Sequence, residues 1–334
     1  MSHLVSVTEI RHAASRLNGI ALRTPLVPFA ATVLAGPGTA LTEPQLLIKA
    51  ESLQPTGAFK LRGAYSAISA LSPSERSRGV VAHSSGNHAH AVAYAAALLD
   101  VPATVVVPSN APAIKVAAAR ACGARIVVCE PSLTARAAAV NELVASNGYT
   151  PIPPFDHRDV IAGQGTVGLE IIADCPEVDL VVCPVGGGGL ISGVAAAVNA
   201  ARPAALVVGV EPELAADARD SLRQGRRVAW PAEQTKRTIA DALRVEQVGE
   251  LPMEHLRSQV HDIITVSDDE IRHAMRVLAT HARLVAEPGG AVAVAACLFR
   301  QDELPRAGKR VAILSGGNVD PVLLADVLSA KGHG

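Results

Sequence analysis

Gln54-Pro55-Thr56-Gly57-Ala58-Phe59-Lys60-Leu61-Arg62-Gly63-Ala64 follows a short apolar run, Leu47-Ile48-Lys49-Ala50, and places a lysine behind small and apolar residues. The apolar run reads as a strand, and the residues from Lys60 onward as the helix that follows it. Desolvation pushes a lysine's pKa down from about 10.4, which leaves its amine neutral, nucleophilic and able to condense with an aldehyde. Lys60 is therefore a candidate nucleophile. The bland alternative is a side chain that snorkels past Phe59 to solvent.

Downstream of Lys60, short β-rich runs alternate with helical stretches. Strands are expected at Gly79–Ala82, Ala103–Val107, Arg125–Cys129, Leu180–Pro184, Leu206–Val210, Asp262–Val266 and Arg310–Leu314. Such alternation indicates an α/β protein with mostly parallel sheets covered on both faces. Pro151, Pro153 and Pro154 punctuate the middle of the chain and mark a domain crossing. Ser6-Val7-Thr8-Glu9 and Ser267-Asp268-Asp269-Glu270 read as capping boxes that open helices. Residues 34–45 are rich in turn formers and read as an exposed loop.

The chain has 334 residues and a formal net charge of -1, with basic and acidic residues interspersed. There is no basic stripe to neutralise a phosphate backbone, so a small-molecule substrate is expected rather than nucleic acid. Hydrophobic residues make up 49% but aromatics only 2%, which predicts a core of Ala, Val, Leu and Ile. The five cysteines are odd in number and lack C-x-x-C spacing, as suits reduced thiols in a cytoplasmic protein. No basic segment followed by an apolar run opens the sequence, and no window approaches ~18 uninterrupted apolar residues. Neither a signal peptide nor a membrane span is expected.

Four segments fall directly after expected strands: Ser84-Ser85-Gly86-Asn87-His88, Gly186-Gly187-Gly188-Gly189, Glu211-Pro212 and Ser315-Gly316-Gly317-Asn318. The carboxyl edge of an open α/β sheet is where ligands bind. Four consecutive glycines are costly in backbone entropy, and that cost is intelligible where bare N–H groups must meet a phosphate at a helix N-terminus. The glycines do not fit G-x-G-x-x-G, because the third glycine would fall at Ile191 or Ser192. Ser84, Ser85, Asn87 and His88 offer more hydroxyl and amide groups than one N-cap needs, and could hold a carboxylate. His83, His88 and His90 do not converge as a metal site, since a strand end and a helix start would have to aim three rings at one point.

A phosphate cradle, a carboxylate cradle and an activated lysine together specify pyridoxal 5'-phosphate acting on an amino acid. The whole motif set resembles the threonine dehydratase and serine racemase group of fold-type II pyridoxal-phosphate enzymes. It comprises residues 57–64 and 84–88, Ala162-Gly163-Gln164-Gly165-Thr166, Pro184 to Gly189 and Leu314 to Asn318. The resemblance implies two doubly wound domains, as in the tryptophan synthase β chain. Residues 1–72 and 158–334 would form a large cofactor-binding domain, and 73–157 a small substrate-gating domain. It implies that Lys60 carries the cofactor and takes the substrate α-proton, that Phe59 packs beside the ring, and that Asn87 bonds the ring oxygen. Gly186, Gly187, Gly188 and Gly189 would bind the phosphate, and Ser315 would face the ring nitrogen. Ser84, Ser85, Asn87 and His88 would hold the substrate, with Ser85 on the face opposite Lys60.

Glu211, the Ala215 carbonyl and Asp217 are similar to that group's Mg²⁺ or Ca²⁺ site, although an acidic first helical turn explains the same residues without a metal. Ala89, Ala242 and Gly289 stand where relatives carry other residues, which bears on the shape of the substrate pocket. Pro154-Phe155-Asp156 looks more like threonine dehydratases than mammalian serine racemases. The resemblance thus implies an L-threonine and L-serine ammonia-lyase, cytoplasmic and a homodimer or homotetramer, without feedback inhibition through an appended domain. The rivals are a serine racemase or another β-hydroxy amino acid dehydratase, a nucleotide-binding Rossmann protein with a structural Lys60, and a catalytically silent cofactor binder.

Overall fold

A computed structural model describes residues 4–29, 45–84, 86–109, 111 and 113–330. Among them lie ten strands: β1 Leu26–Phe29, β2 Gln45–Ala50, β3 Val80–His83, β4 Ala103–Pro108, β5 Arg125–Cys129, β6 Thr150–Pro151, β7 Leu180–Pro184, β8 Leu206–Pro212, β9 Asp262–Val266 and β10 Lys309–Leu314. They form a six-stranded sheet in the order β1-β2-β10-β7-β8-β9 and a four-stranded sheet in the order β5-β4-β3-β6. All pairs are parallel except β1 with β2, where Leu26 lies opposite Lys49. The large sheet is therefore mixed and the small one parallel, within the expected α/β class.

Central strands carry continuous apolar runs because helices cover both of their faces. Every residue of β7, Leu-Val-Val-Cys-Pro, is buried. The composition shapes the helix layer as well. Helices Lys60–Ala70, Arg158–Asp174 and Gly189–Ala201 approach at backbone distance. A Cβ on Gly193 would lie 2.3 Å from the Ile161 carbonyl oxygen, so a side chain there has no room.

Both expected capping boxes close, Ser6 with Glu9 and Ser267 with Glu270. A third, Ser72 with Glu75, opens the unanticipated helix Pro73–Arg78. The short strands β1 and β6 and the helix Arg158–Asp174 were also not anticipated. Glu211 and Pro212, expected in a loop, are the last two residues of β8. Of the expected loop 34–45, residues 34–44 lie outside the described residues, and Gln45 opens β2.

One polar seam crosses the interior beside the Lys60 helix. Arg62 is buried and donates to both Glu51 carboxylate oxygens at 2.8 Å and to Glu170 at 2.6 and 2.9 Å. Lys49, equally buried, donates to Glu170 and to the Thr24 carbonyl oxygen, each at 2.6 Å. Two cations thus face two carboxylates, a balance that a largely buried seam requires.

Candidate active site

Lys60 begins a helix whose entry is stapled to the end of β10. The Phe59 N–H donates to the Ser315 carbonyl oxygen at 3.0 Å, and the Gly317 N–H to the Gly57 carbonyl oxygen at 2.9 Å. Gly57 has φ +72°, and a Cβ there would lie 2.2 Å from Asn318 Oδ1, so both its backbone and its neighbour require glycine. The lysine Nζ lies 5.0 Å from the centroid of the Phe59 ring and donates to the Pro154 carbonyl oxygen at 2.6 Å. Burial pushes its pKa down to about 8, against the pull of the Glu287 carboxylate. A substantial neutral fraction near pH 8 is what a nucleophilic amine needs.

Gly186 to Gly189 join β7 to helix Gly189–Ala201, with Gly188 left-handed at φ +88° as the N-cap. The N–H groups of Gly187, Gly188 and Gly189 donate to no acceptor among the described residues. A cradle of free N–H groups at a helix N-terminus fits a phosphate. Its back is closed by Phe155: a Cβ on Gly187 would fall 2.1 Å from that ring, and one on Gly189 2.9 Å from the Phe155 Cα. Asp156, next in the chain, accepts the N–H groups of Glu250 at 2.8 Å and Leu251 at 3.1 Å. The 153–156 segment is thereby tied to the cradle.

Ser84 follows β3, its N–H on the Val106 carbonyl oxygen and its Oγ accepting the Gly86 N–H at 3.2 Å. Asn87 opens helix Asn87–Leu98, whose first-turn N–H groups have no intrahelical partner. Asn87 Nδ2 donates to Glu287 Oε1 at 2.6 Å, and its Oδ1 accepts from Asn318 Nδ2 at 2.8 Å. His88 is buried with Nε2 on the Ile152 carbonyl oxygen at 2.8 Å, and burial together with the Lys60 charge pushes its pKa down to about 3. Its ring is neutral and faces β6, so what it offers an anion is its backbone N–H. Ser315 is buried at the carboxyl end of β10. Ser85 lies outside the described residues. Lys60 thus touches Pro154, whose neighbour Phe155 packs on the glycine turn, while Phe59 bonds the Ser315 backbone and Asn87 meets Asn318 of the turn that Ser315 opens; the chemistry of these residues fits pyridoxal phosphate.

Glu211, Ala215 and Asp217 are all buried. Glu211 accepts the N–H groups of Ala218 at 3.0 Å and Arg219 at 2.8 Å. Neither Asp217 carboxylate oxygen makes a hydrogen bond of ordinary geometry. Burial pushes the Asp217 pKa up to about 7, partly offset by the nearby Val248 N–H. Burial and the neighbouring Asp217 charge push Glu211 upward too. Two buried carboxylates forced together, relieved only in part by the Arg219 charge near Glu211, fit a hard cation that takes oxygen ligands. Among the described residues no cluster of three or more His, Cys, Asp or Glu side chains could hold a metal, so a cation here would draw on the Ala215 carbonyl oxygen as well.

Sequence reasoning did not single out Glu287, Asn318 or Phe155 as site residues. The available signal was local: Glu287 is one acid ahead of the apolar helix Pro288–Phe299, and Asn318 closes a glycine turn. Their partner Asn87 lies 200 and 231 residues away in sequence.

Comparison with known proteins bears on this cleft. A model of the family described as pyridoxal-phosphate dependent enzyme matches residues 19–316. The chain is 44% identical over 291 residues to an L-threo-3-hydroxyaspartate ammonia-lyase of Saccharomyces cerevisiae, covering 87% of this chain and 88% of that protein. It is 41% identical over 332 residues to an L-threonine ammonia-lyase of Thermotoga maritima, covering 98% of this chain and 79% of that one. Among solved structures, maize serine racemase superposes with a TM-score of 0.90 at 37% identity over 96% of each chain. No helix among the described residues is long and apolar enough to cross a membrane.

Proposed function

Because the chain belongs to the pyridoxal-phosphate dependent enzyme family, we propose that it is an ammonia-lyase that converts L-threonine to 2-oxobutanoate and ammonia and also accepts L-serine. The observation that carries this reading is a desolvated lysine joined, through Pro154 and Phe155, to a glycine turn whose N–H groups have no acceptor among the described residues. When bound, pyridoxal phosphate supplies an electron sink that acidifies the substrate Cα–H. Gly186 to Gly189 would hold its phosphate and Phe59 would flank its ring. Ser315 would offer the ring nitrogen a neutral hydroxyl, which would keep that sink weak and favour loss of a β-hydroxyl. Ser84 and the N–H groups opening helix Asn87–Leu98 hold the substrate carboxylate. Lys60, whose burial pushes its pKa down to about 8, moves the α-proton.

A second reading is favoured by the yeast relative and by a Pseudomonas L-threo-3-hydroxyaspartate ammonia-lyase at 41% identity. Here the substrate carries a carboxylate on its β-carbon. The chain offers Arg136 as a candidate cation for that carboxylate, since its charge is felt at His83 at the end of β3. The test is 2-oxo acid release from L-threonine, L-serine and L-threo-3-hydroxyaspartate, with chiral analysis of residual substrate. Turnover of L-threonine supports the first reading. Turnover confined to hydroxyaspartate, with Arg136→Gln losing about ten- to hundredfold, the worth of one charge-assisted contact, supports the second. Racemisation of L-serine faster than any deamination overturns both in favour of a racemase, for which Ser85 is the proton donor opposite Lys60.

Glu211, Asp217 and the Ala215 carbonyl bind Mg²⁺ or Ca²⁺ in this reading and stabilise the fold around β8. Chelation is expected to lower the melting temperature of the wild type, and either ion to restore it. Asp217→Asn should melt at one temperature with or without chelator. A wild type indifferent to chelator and to both ions would mean that the carboxylates are relieved by protons instead.

A further inference from the structure

We propose that Glu287 is a positioning residue that acts through Asn87, holding the Asn87 amide so that its N–H, and not its carbonyl oxygen, faces the cofactor ring oxygen. The inference rests on the family reading, and it concerns residues that meet across the cleft. Asn87 stands at the head of the helix that follows β3 of the small sheet. Glu287 and Asn318 belong to segments that flank β10 of the large sheet. The three side chains form a chain of hydrogen bonds: Asn87 Nδ2 to Glu287 Oε1 at 2.6 Å, Asn318 Nδ2 to Asn87 Oδ1 at 2.8 Å, and Asn318 Nδ2 to the Thr56 carbonyl oxygen at 2.8 Å.

The chemistry of the end groups fixes the direction of every bond. A carboxylate and a carbonyl oxygen only accept, so Asn318 must turn its nitrogen to Thr56 and Asn87 must turn its nitrogen to Glu287. Asn87 Oδ1 is then occupied by Asn318, and one N–H of Nδ2 remains for a ligand. Without Glu287 only the Asn318 bond opposes a flip that would present an acceptor to an anionic ring oxygen and repel it. The backbone holds the clamp rigid. The Glu287 N–H donates to the Gly316 carbonyl oxygen at 3.1 Å, and a Cβ on Gly316 would lie 2.4 Å from Glu287 Oε1, so the carboxylate packs directly on a glycine backbone. Glu287 is 3% exposed, which leaves a flipped amide little water to compensate it.

The test is a double-mutant cycle on cofactor affinity, measured by titrating the cofactor-free protein with pyridoxal 5'-phosphate. Asn87→Ala and Glu287→Ala are each expected to weaken binding about ten- to hundredfold, the size of one hydrogen bond to a charged group. The double variant is expected to bind no more weakly than Asn87→Ala alone, because Glu287 has nothing left to orient. Glu287→Gln keeps the shape of the side chain, can both donate and accept, and should fall between wild type and Glu287→Ala. The visible absorbance maximum of its bound cofactor should be displaced from the wild-type position. If Glu287→Ala does not fold, the same cycle is run with Glu287→Gln. Penalties that simply add in the double variant, or a Glu287→Gln spectrum and affinity equal to wild type, overturn the proposal and leave the family reading intact. A wild type that takes up no pyridoxal phosphate overturns both.

Discussion

Lys60→Ala will leave a folded protein without a visible cofactor band, with ammonia release reduced at least about 10⁴-fold. The size of the loss follows from the two tasks given to one amine, anchoring the cofactor and moving the substrate proton. Folding is spared because, among the described residues, Nζ bonds only the Pro154 carbonyl oxygen, and removing a desolvated amine relieves as much as it costs. Circular dichroism and melting should therefore match the wild type in the absence of cofactor. Burial also sets a pH signature. With its pKa at about 8, the Lys60 amine of the cofactor-free protein becomes neutral as pH rises through that value. The rate at which wild-type protein captures pyridoxal phosphate should climb over the same interval, well below the range of a solvated lysine. A Lys60→Ala enzyme with wild-type turnover would remove the lysine from the mechanism.

The second large effect is on stability. Arg62→Leu strips the guanidinium from between Glu51 and Glu170 and leaves Lys49 alone to face them. Breaking a buried ion pair from one side costs about 3–5 kcal/mol, because the abandoned carboxylate keeps its desolvation penalty. Denaturant or thermal unfolding should show a loss of that size. Arg272→Ala provides the contrast. Its partner Asp326 is 72% exposed at 3.4 Å, and such pairs contribute at most about 1 kcal/mol. Equal losses in the two variants would mean that the seam beside the Lys60 helix contributes no more than a surface contact.

Why the one arginine is legible only as part of a motif, while the strands are legible singly, comes down to range. β7 announces itself because five consecutive buried residues are all apolar or proline. The helix starts at Ser6 and Ser267 are written in a serine and a glutamate three residues apart. The helix Arg158–Asp174 hides itself: Gly163, Gly165 and Gly168 lower its intrinsic propensity, and only neighbouring backbone explains them. A Cβ on Gly163 would meet the Arg62 carbonyl oxygen at 2.4 Å, and one on Gly168 the Val194 carbonyl oxygen at 2.9 Å. β6 has two residues, too few for any periodicity.

The site divides in the same way. Lys60 and the glycine loop carry their chemistry in adjacent residues, so composition and spacing expose them. Glu287 acquires its meaning from an asparagine that folding delivers from the other sheet. His88 shows the limit from the other side: a serine- and asparagine-rich helix entry does not say where its ring goes, and burial sets that ring on the Ile152 carbonyl oxygen.

Borohydride reduction of the purified protein after incubation with pyridoxal 5'-phosphate, followed by mass mapping of its peptides, tests the central assignment most directly. The visible band should bleach, and one peptide, the one spanning Lys60, should gain the mass of the reduced cofactor. Attachment at Lys49 or any other lysine, or no mass gain in a protein that otherwise remains folded, would contradict the account.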